Sequence, residues 1–189
     1  MEKGIRTDQI ADATRRLPAR GIDVGFFLQF GYPGETIDDI QRTRQMVHTC
    51  QPDDIGISVA YPLPGTTFYE RVKAQLGTKR NWVDSNDLAP MYASTYPPEF
   101  YRALHTLVHR EFRVRRAATR AAAVLRSPYT LNARVVHDIA AGLWHRVRLG
   151  AARSRVDRLA IPAGRTSSAP TLVPVLTRKA AALPSEPLR

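Results

Sequence analysis

Few side chains in this 189-residue chain are of the types and spacings that do chemistry. His105 and His109 stand four apart, an interval that can aim two imidazoles from one helical face at a metal ion. The one carboxylate nearby, Glu111, falls on another face, so the pair reads as a partly exposed helix face. Asp38-Asp39 and Asp53-Asp54 are pairs by adjacency only and fit a helix N-terminus and a turn. Cys50 is the sole cysteine, which rules out an internal disulfide and a cysteine metal cluster; at the end of a helical pattern it reads as a small apolar residue. The remaining candidate is backbone. In "GFFLQFGYPGET" (Gly25–Thr36) an apolar run breaks at Gly31-Tyr32-Pro33-Gly34 and restarts as a helix at Thr36. Such a turn can offer peptide N–H groups at a helix start, which favours a carboxylate or phosphate.

The elements that must position this turn follow from periodicity. Thr7 is the expected N-cap of a first helix through Ile10, Ala11, Ala13 and Leu17, stopped by Pro18 and Gly21. Gly21–Phe30 is rich in branched and aromatic residues and reads as a buried strand. Pro33-Gly34 suits a type II turn, and Thr36 with Asp39 makes a capping-box start for a helix ending near Cys50. Ile55–Tyr61 reads as a second strand, "PLPGT" as a second turn, and Phe68, Tyr69, Val72 and Leu76 as a third helix. This order is one parallel βαβ unit. Alternation divides the strands into two faces. Ile22, Val24, Phe26, Leu28 and Phe30 match Ile55, Ile57, Val59 and Tyr61 on a bulky side. Gly25, Phe27 and Gln29 match Gly56, Ser58 and Ala60 on a small or polar side. A barrel strand has this character when helices cover its outside and a ligand occupies its inside. Two parallel strands do not make a stable sheet, so the segment reads as a slice of something larger.

Charge divides the chain as sharply as pattern does. Residues 1–100 carry 11 basic and 13 acidic residues, whereas residues 101–189 carry 17 basic and 4 acidic, all but one of the basic ones arginine. The net +11 therefore lies in the second half, where an acidic partner or an anionic membrane surface is the partner class to weigh against a solvated tail. Pro97–Arg126 is expected to be one long helix, with Phe100, Leu104, Leu107, Val108 and Phe112 on its apolar face. A second basic helix is expected from about Leu131 to Leu149, and a disordered tail from about residue 160. The arginines between Arg113 and Arg126 wind around the helix without interleaved aromatics, which argues against nucleic acid. No apolar run approaches a membrane span and no signal peptide opens the sequence, so a cytoplasmic location is expected.

Three segments taken together, "MEKGIRTDQI", "GFFLQFGYPGET" and "ISVAYPLPGTTFYERV", resemble the back half of the catalytic domain of radical S-adenosylmethionine enzymes. The match is with the subgroup that carries an N-terminal cobalamin-binding domain and includes anaerobic magnesium-protoporphyrin ester cyclase. "NWVDSNDLAPMYASTYPPEFYRAL" resembles the segment that follows that barrel. The resemblance implies an α/β fold, a fragment of a partial parallel (β/α)6 TIM-like barrel with an α-helical C-terminal extension. It divides the chain into barrel units (1–76), a post-barrel segment and long helix (77–126), a basic helical region (127–159) and a tail (160–189). It further implies radical chemistry on a small-molecule substrate, using S-adenosylmethionine, a [4Fe-4S] cluster and possible cobalamin. Met1-Glu2-Lys3-Gly4 is similar to an internal family motif, so a second chain supplying the N-terminal half is an expected partner. The cluster-binding CxxxCxxC loop of the family is missing, and the chain alone is expected to be inactive. By position, the resemblance assigns Phe27, Gln29, Ser58 and Ala60 to the adenosyl group, and Gly31, Gly34 and Glu35 to the shape of the adjoining turn. Phe27 departs from the acidic residue that related enzymes often use on the ribose. The competing reading is a non-catalytic interaction protein whose Arg-rich helices bind an acidic partner or anionic membrane.

Overall fold

The structure is a computed structural model and describes residues 4–77 and 88–160. It is mixed α/β and mostly helical. Helix α1 (Thr7–Arg16) leads to strand β1 (Gly25–Phe30), helix α2 (Ile37–Cys50), strand β2 (Asp54–Val59) and helix α3 (Thr67–Leu76). Three further helices follow: α4 (Pro98–Arg126), α5 (Ala133–Val147) and α6 (Leu149–Leu159). The two strands pair in parallel, with Gly25 opposite Asp54 and Phe30 opposite Val59. Among the described residues the sheet has only these two strands.

Local chemistry explains most of these boundaries. Thr36 caps α2 by accepting from the Asp39 amide at 3.2 Å, while the Asp39 carboxylate takes the Thr36 amide at 3.0 Å. Thr66 caps α3 the same way, accepting from the Tyr69 amide at 3.1 Å. Three expected boundaries move. Thr7 is the first helical residue rather than the cap; Arg6 precedes it, with its amide on Gln9 Oε1 at 2.9 Å. β1 begins at Gly25 rather than Gly21, because Gly21 takes a left-handed conformation that closes a 3-10 turn and leaves Ile22 half exposed. β2 stops at Val59, with one ladder bond beyond it from the Ala60 amide to the Phe30 carbonyl at 2.6 Å.

The core lies between the sheet and α4. Leu28, Phe30 and Ile55 from the strands meet Ile40 and Val47 of α2 and Phe100, Leu104, Leu107 and Val108 of α4. A second cluster gathers Ala60, Val72 and Leu76 with Met91 and Tyr92. The long basic helix forms as the sequence leads one to expect, with Pro97 at its N-cap and Pro98 as its first residue.

The helix expected over about 131–149 forms as α5, and a further helix, α6, follows it to Leu159. The break falls at Arg148, whose carbonyl accepts from the Arg110 guanidinium of α4 at 3.1 Å. The same carbonyl also accepts from the Ala152 amide at 3.2 Å, the first hydrogen bond of α6. Both helices fold back on α4. Gly142 lets α5 come close: a Cβ built there would lie 2.1 Å from Ala117 Cβ. Val156 of α6 is buried in the main core. The tail assigned to residues beyond 160 lies outside the described residues. Among the described residues no helix is long and apolar enough to cross a membrane.

Candidate functional site

The turn after β1 is held from three sides. Gly31 and Gly34 both have φ of +83°, the left-handed region that glycine occupies without strain. The Glu35 amide donates to the Tyr32 carbonyl at 2.9 Å, closing the expected turn across Pro33-Gly34. The Gly31 amide donates to Glu35 Oε2 at 2.7 Å. Tyr92 donates its hydroxyl to the Gly31 carbonyl at 2.5 Å. A side chain on Gly31 would meet the Tyr101 ring at 3.4 Å, so the glycine is also where the backbone comes closest to α4.

These bonds change what the turn can offer. The sequence reading has it present free amides to an anion, yet the chain supplies its own carboxylates. Glu35 takes the Gly31 amide, and Asp39 takes the amide of Thr36. The physical reason is proximity: an acidic residue one turn into a helix reaches its own uncapped donors before any ligand does. Around the turn lies an aromatic cluster, with Phe68 4.9 Å from Tyr32 and 5.3 Å from Tyr92, ring centre to ring centre.

Burial in this cluster raises the Glu35 pKa to about 7, against the lowering effect of the Gly31 hydrogen bond. Burial also raises Tyr92 and Tyr101, so both phenols stay protonated. The Tyr101 hydroxyl is buried without a hydrogen bond of good geometry, although Ser94 and the Tyr96 amide lie near enough to temper its pKa. Glu35 is therefore the group at this end of the sheet that can hold or release a proton near neutral pH.

The sheet's two faces differ as the alternation predicts. Leu28 and Phe30 are buried against helices, whereas Phe27 is 79 % exposed and Gln29 is exposed. Gly56 and Ser58 lie half-buried on the same open face, and the Phe27 ring covers Gly56 so closely that a Cβ there would come within 2.9 Å of it. Ala60 does not join them; at 2 % exposure its side chain belongs to the second core cluster. The structure thus brings Phe27, Gln29 and Ser58 together on one surface. It places Gly31, Gly34 and Glu35 in the turn at its carboxyl end.

His105 and His109 meet with ring centres 4.4 Å apart and planes tilted by 57°, half-buried, with pKa values lowered by burial. Glu111 lies away from them: it takes the Arg44 guanidinium in two hydrogen bonds, at 2.6 and 3.1 Å, and Arg153 as well. Sequence reasoning placed Glu35 in the shape of the turn, where it binds the Gly31 amide, but missed its raised pKa and the roles of Tyr92 and Tyr101. The available signal was the aromatic run from Met91 to Tyr101, too dense for a simple connector. No family model matches the chain, and no curated protein matches it either.

Proposed function

We propose that this chain is the carboxyl-terminal portion of a cobalamin-type radical S-adenosylmethionine enzyme, contributing one wall of the adenosyl and substrate pocket. The observation that carries the reading is the open face of the sheet. β1 and β2 are parallel and bury Leu28, Phe30 and Ile55 on one side, while Phe27, Gln29, Gly56 and Ser58 face outward on the other. Parallel sheets are stable with both faces covered, so this face and the strand edges are suited to further β/α units of a partial barrel. Its carboxyl end carries both Pro-Gly turns, the end at which such barrels hold ligands.

A [4Fe-4S] cluster does not fit this chain: Cys50 is the sole cysteine, and three thiolates are needed. S-adenosylmethionine fits better, since Phe27 presents an exposed ring on which adenine can stack and Gln29 and Ser58 present hydrogen-bonding groups beside it. Ala60 can contribute only backbone. Glu35, its pKa raised by burial to about 7, can exchange a proton with a group docked at the carboxyl end of β1.

Co-expression with a polypeptide that carries the CxxxCxxC loop, encoded upstream of residue 1, tests the reading. The pair should co-purify and bind S-adenosylmethionine saturably, and Gln29→Ala and Ser58→Leu should weaken that binding. Absence of any such reading frame beside the gene overturns it.

A second reading, an interaction protein that meets an anionic membrane surface, rests on α5. Val136, Leu143 and Val147 follow helical spacing and are 52 %, 62 % and 85 % exposed. Trp144 lies beside them with the Arg148 guanidinium 4.2 Å from its ring centre. An apolar helix face turned to solvent and bordered by arginine is the pattern of a helix lying in a membrane interface.

A further inference from the structure

At the end of the sheet opposite the Pro-Gly turns lies an open cavity of about 1470 Å³, bounded by the starts of both strands, α2, α4, α5 and the beginning of α6. Seven arginines line it, against four carboxylates. The carboxylates are largely engaged. Asp53 accepts from the Val24 amide at 2.8 Å, Asp54 from the Ile55 amide at 2.9 Å, and Glu111 from Arg44 and Arg153. Arg120 pairs with Asp138 at 2.6 Å, and Arg116 donates to the Asp53 carbonyl at 3.3 Å.

Three guanidiniums are left over. Arg115 of α4 and Arg134 and Arg146 of α5 have no ion-pair partner among the described residues. The Arg115 Nε is moreover buried without an acceptor. A buried donor without a partner is costly, and turning the Arg115 guanidinium toward an anion in the cavity would satisfy it. Leu149 and Gly150, at the start of α6, complete the wall beside Arg146.

We propose that this cavity binds a compact anion carrying two or more phosphate groups. Guanidiniums recognise phosphate oxygens through a planar fork, and arginine is the residue suited to that geometry. Arg134 and Arg146 stand at the two ends of α5, about 18 Å apart along its axis, so a single phosphate cannot reach both and an anion with spaced phosphates can. An extended nucleic acid is disfavoured, since the arginines line a concave space whose Phe112 is packed against the core and offers no free ring for stacking. None of Phe27, Gln29, Glu35 and Ser58 lines this cavity, so the site is separate from the residues proposed for the adenosyl group.

Calorimetric titration of the full chain with inorganic tripolyphosphate, at fixed ionic strength, tests the proposal. Binding should be saturable with one site per chain, and orthophosphate should bind roughly tenfold or more weakly. The triple variant Arg115→Gln, Arg134→Gln and Arg146→Gln should lose roughly tenfold or more in affinity. Replacing the same three by Lys should recover part of it. Arg155→Gln with Arg158→Gln, two exposed positions outside the cavity, should leave binding unchanged, with circular dichroism confirming the fold of each variant. Equal losses in the two Gln sets would reduce the effect to general charge and overturn the site. Tighter binding of oligo-aspartate than of tripolyphosphate would overturn it in favour of an acidic peptide segment.

Discussion

Tyr92 closes the β1 turn from 61 positions away, its hydroxyl hydrogen-bonded to the Gly31 carbonyl in a buried setting. Removing that hydroxyl leaves a carbonyl without its direct partner, and an unsatisfied buried group costs about 1–3 kcal/mol. Tyr92→Phe should therefore lower the urea midpoint without changing the dependence on denaturant. An unchanged midpoint would show that the Tyr92 hydroxyl adds nothing to the turn.

Glu35 makes stability depend on pH in a direction unusual for a carboxylate. Its pKa in the folded chain is about 7, against an ordinary 4.5, because burial disfavours the charged form. Below the lower value both folded and unfolded chains hold the proton, and nothing changes. Between about 4.5 and about 7 the folded chain keeps a proton that the unfolded chain has released. Stability must then fall as pH rises through this window. The side chain is partly solvated, so screening reduces the effect to about 1 kcal/mol. Glu35→Gln should flatten the urea midpoint across the window and leave the variant the more stable chain at pH ~8. A parent chain whose stability rises across the same range would refute the assignment.

Gly142 allows α5 to lie on α4, since its missing Cβ would overlap the Ala117 methyl at 2.1 Å. Both atoms belong to helix backbones that cannot yield separately, so Gly142→Ala should cost about 1–3 kcal/mol despite the better helix propensity of alanine. Ala117→Gly introduced with it should restore part of the loss, and a double-mutant cycle measures that coupling. Additive effects within about 0.5 kcal/mol would mean that the helices do not meet there.

Local chemistry was largely legible in the sequence. Thr36 and Asp39, Pro98 and the alternation of Phe27, Leu28, Gln29 and Phe30 each act over a few residues, and each appears where pattern placed it. What pattern could not place are contacts between distant segments. Arg110 of α4 meets the Arg148 carbonyl at the α5–α6 break, and the docking of α5 depends on Ala117 meeting a glycine 25 positions later. The occupied amides of the β1 turn were partly readable, since Glu35 stands four residues after Gly31. The raised Glu35 pKa depends on an aromatic enclosure that only the fold assembles, from Tyr32, Phe68, Tyr92 and Tyr101. The α/β class was legible from the strand–helix–strand order; how many strands the complete sheet holds is part of the proposal about the parent enzyme.

The chain alone should assemble no iron–sulfur cluster. Three thiolates hold such a cluster in the proposed family, and Cys50 is half-buried at the end of α2 with no second cysteine in the sequence. Anaerobic reconstitution followed by iron and sulfide analysis should find neither in stoichiometric amount. A stoichiometric cluster would require ligands of another kind and would remove the reason for expecting a second chain.

The exposed face of α5 yields the prediction that separates the two functional readings. Val136, Leu143 and Val147 are solvent-facing on a helix whose other side is fixed to α4 through Gly142. Burying such side chains in an interface is worth roughly 1 kcal/mol each for partial transfer from water. Arg148 near the Trp144 ring adds attraction to anionic headgroups that is screened within about 8–10 Å at physiological salt. The full chain should co-sediment with vesicles containing phosphatidylglycerol at low salt, and less so as salt rises. Leu143→Asn with Val147→Asn should weaken binding several-fold, to be measured against pure phosphatidylcholine vesicles as the neutral control. Neither residue lines the arginine cavity, so these substitutions leave tripolyphosphate binding as an independent measurement. Equal binding to neutral and anionic vesicles, or none to either at low salt, would remove the membrane reading. The same α5 face would then need a protein neighbour, which the co-expressed partner of the enzyme reading would have to supply.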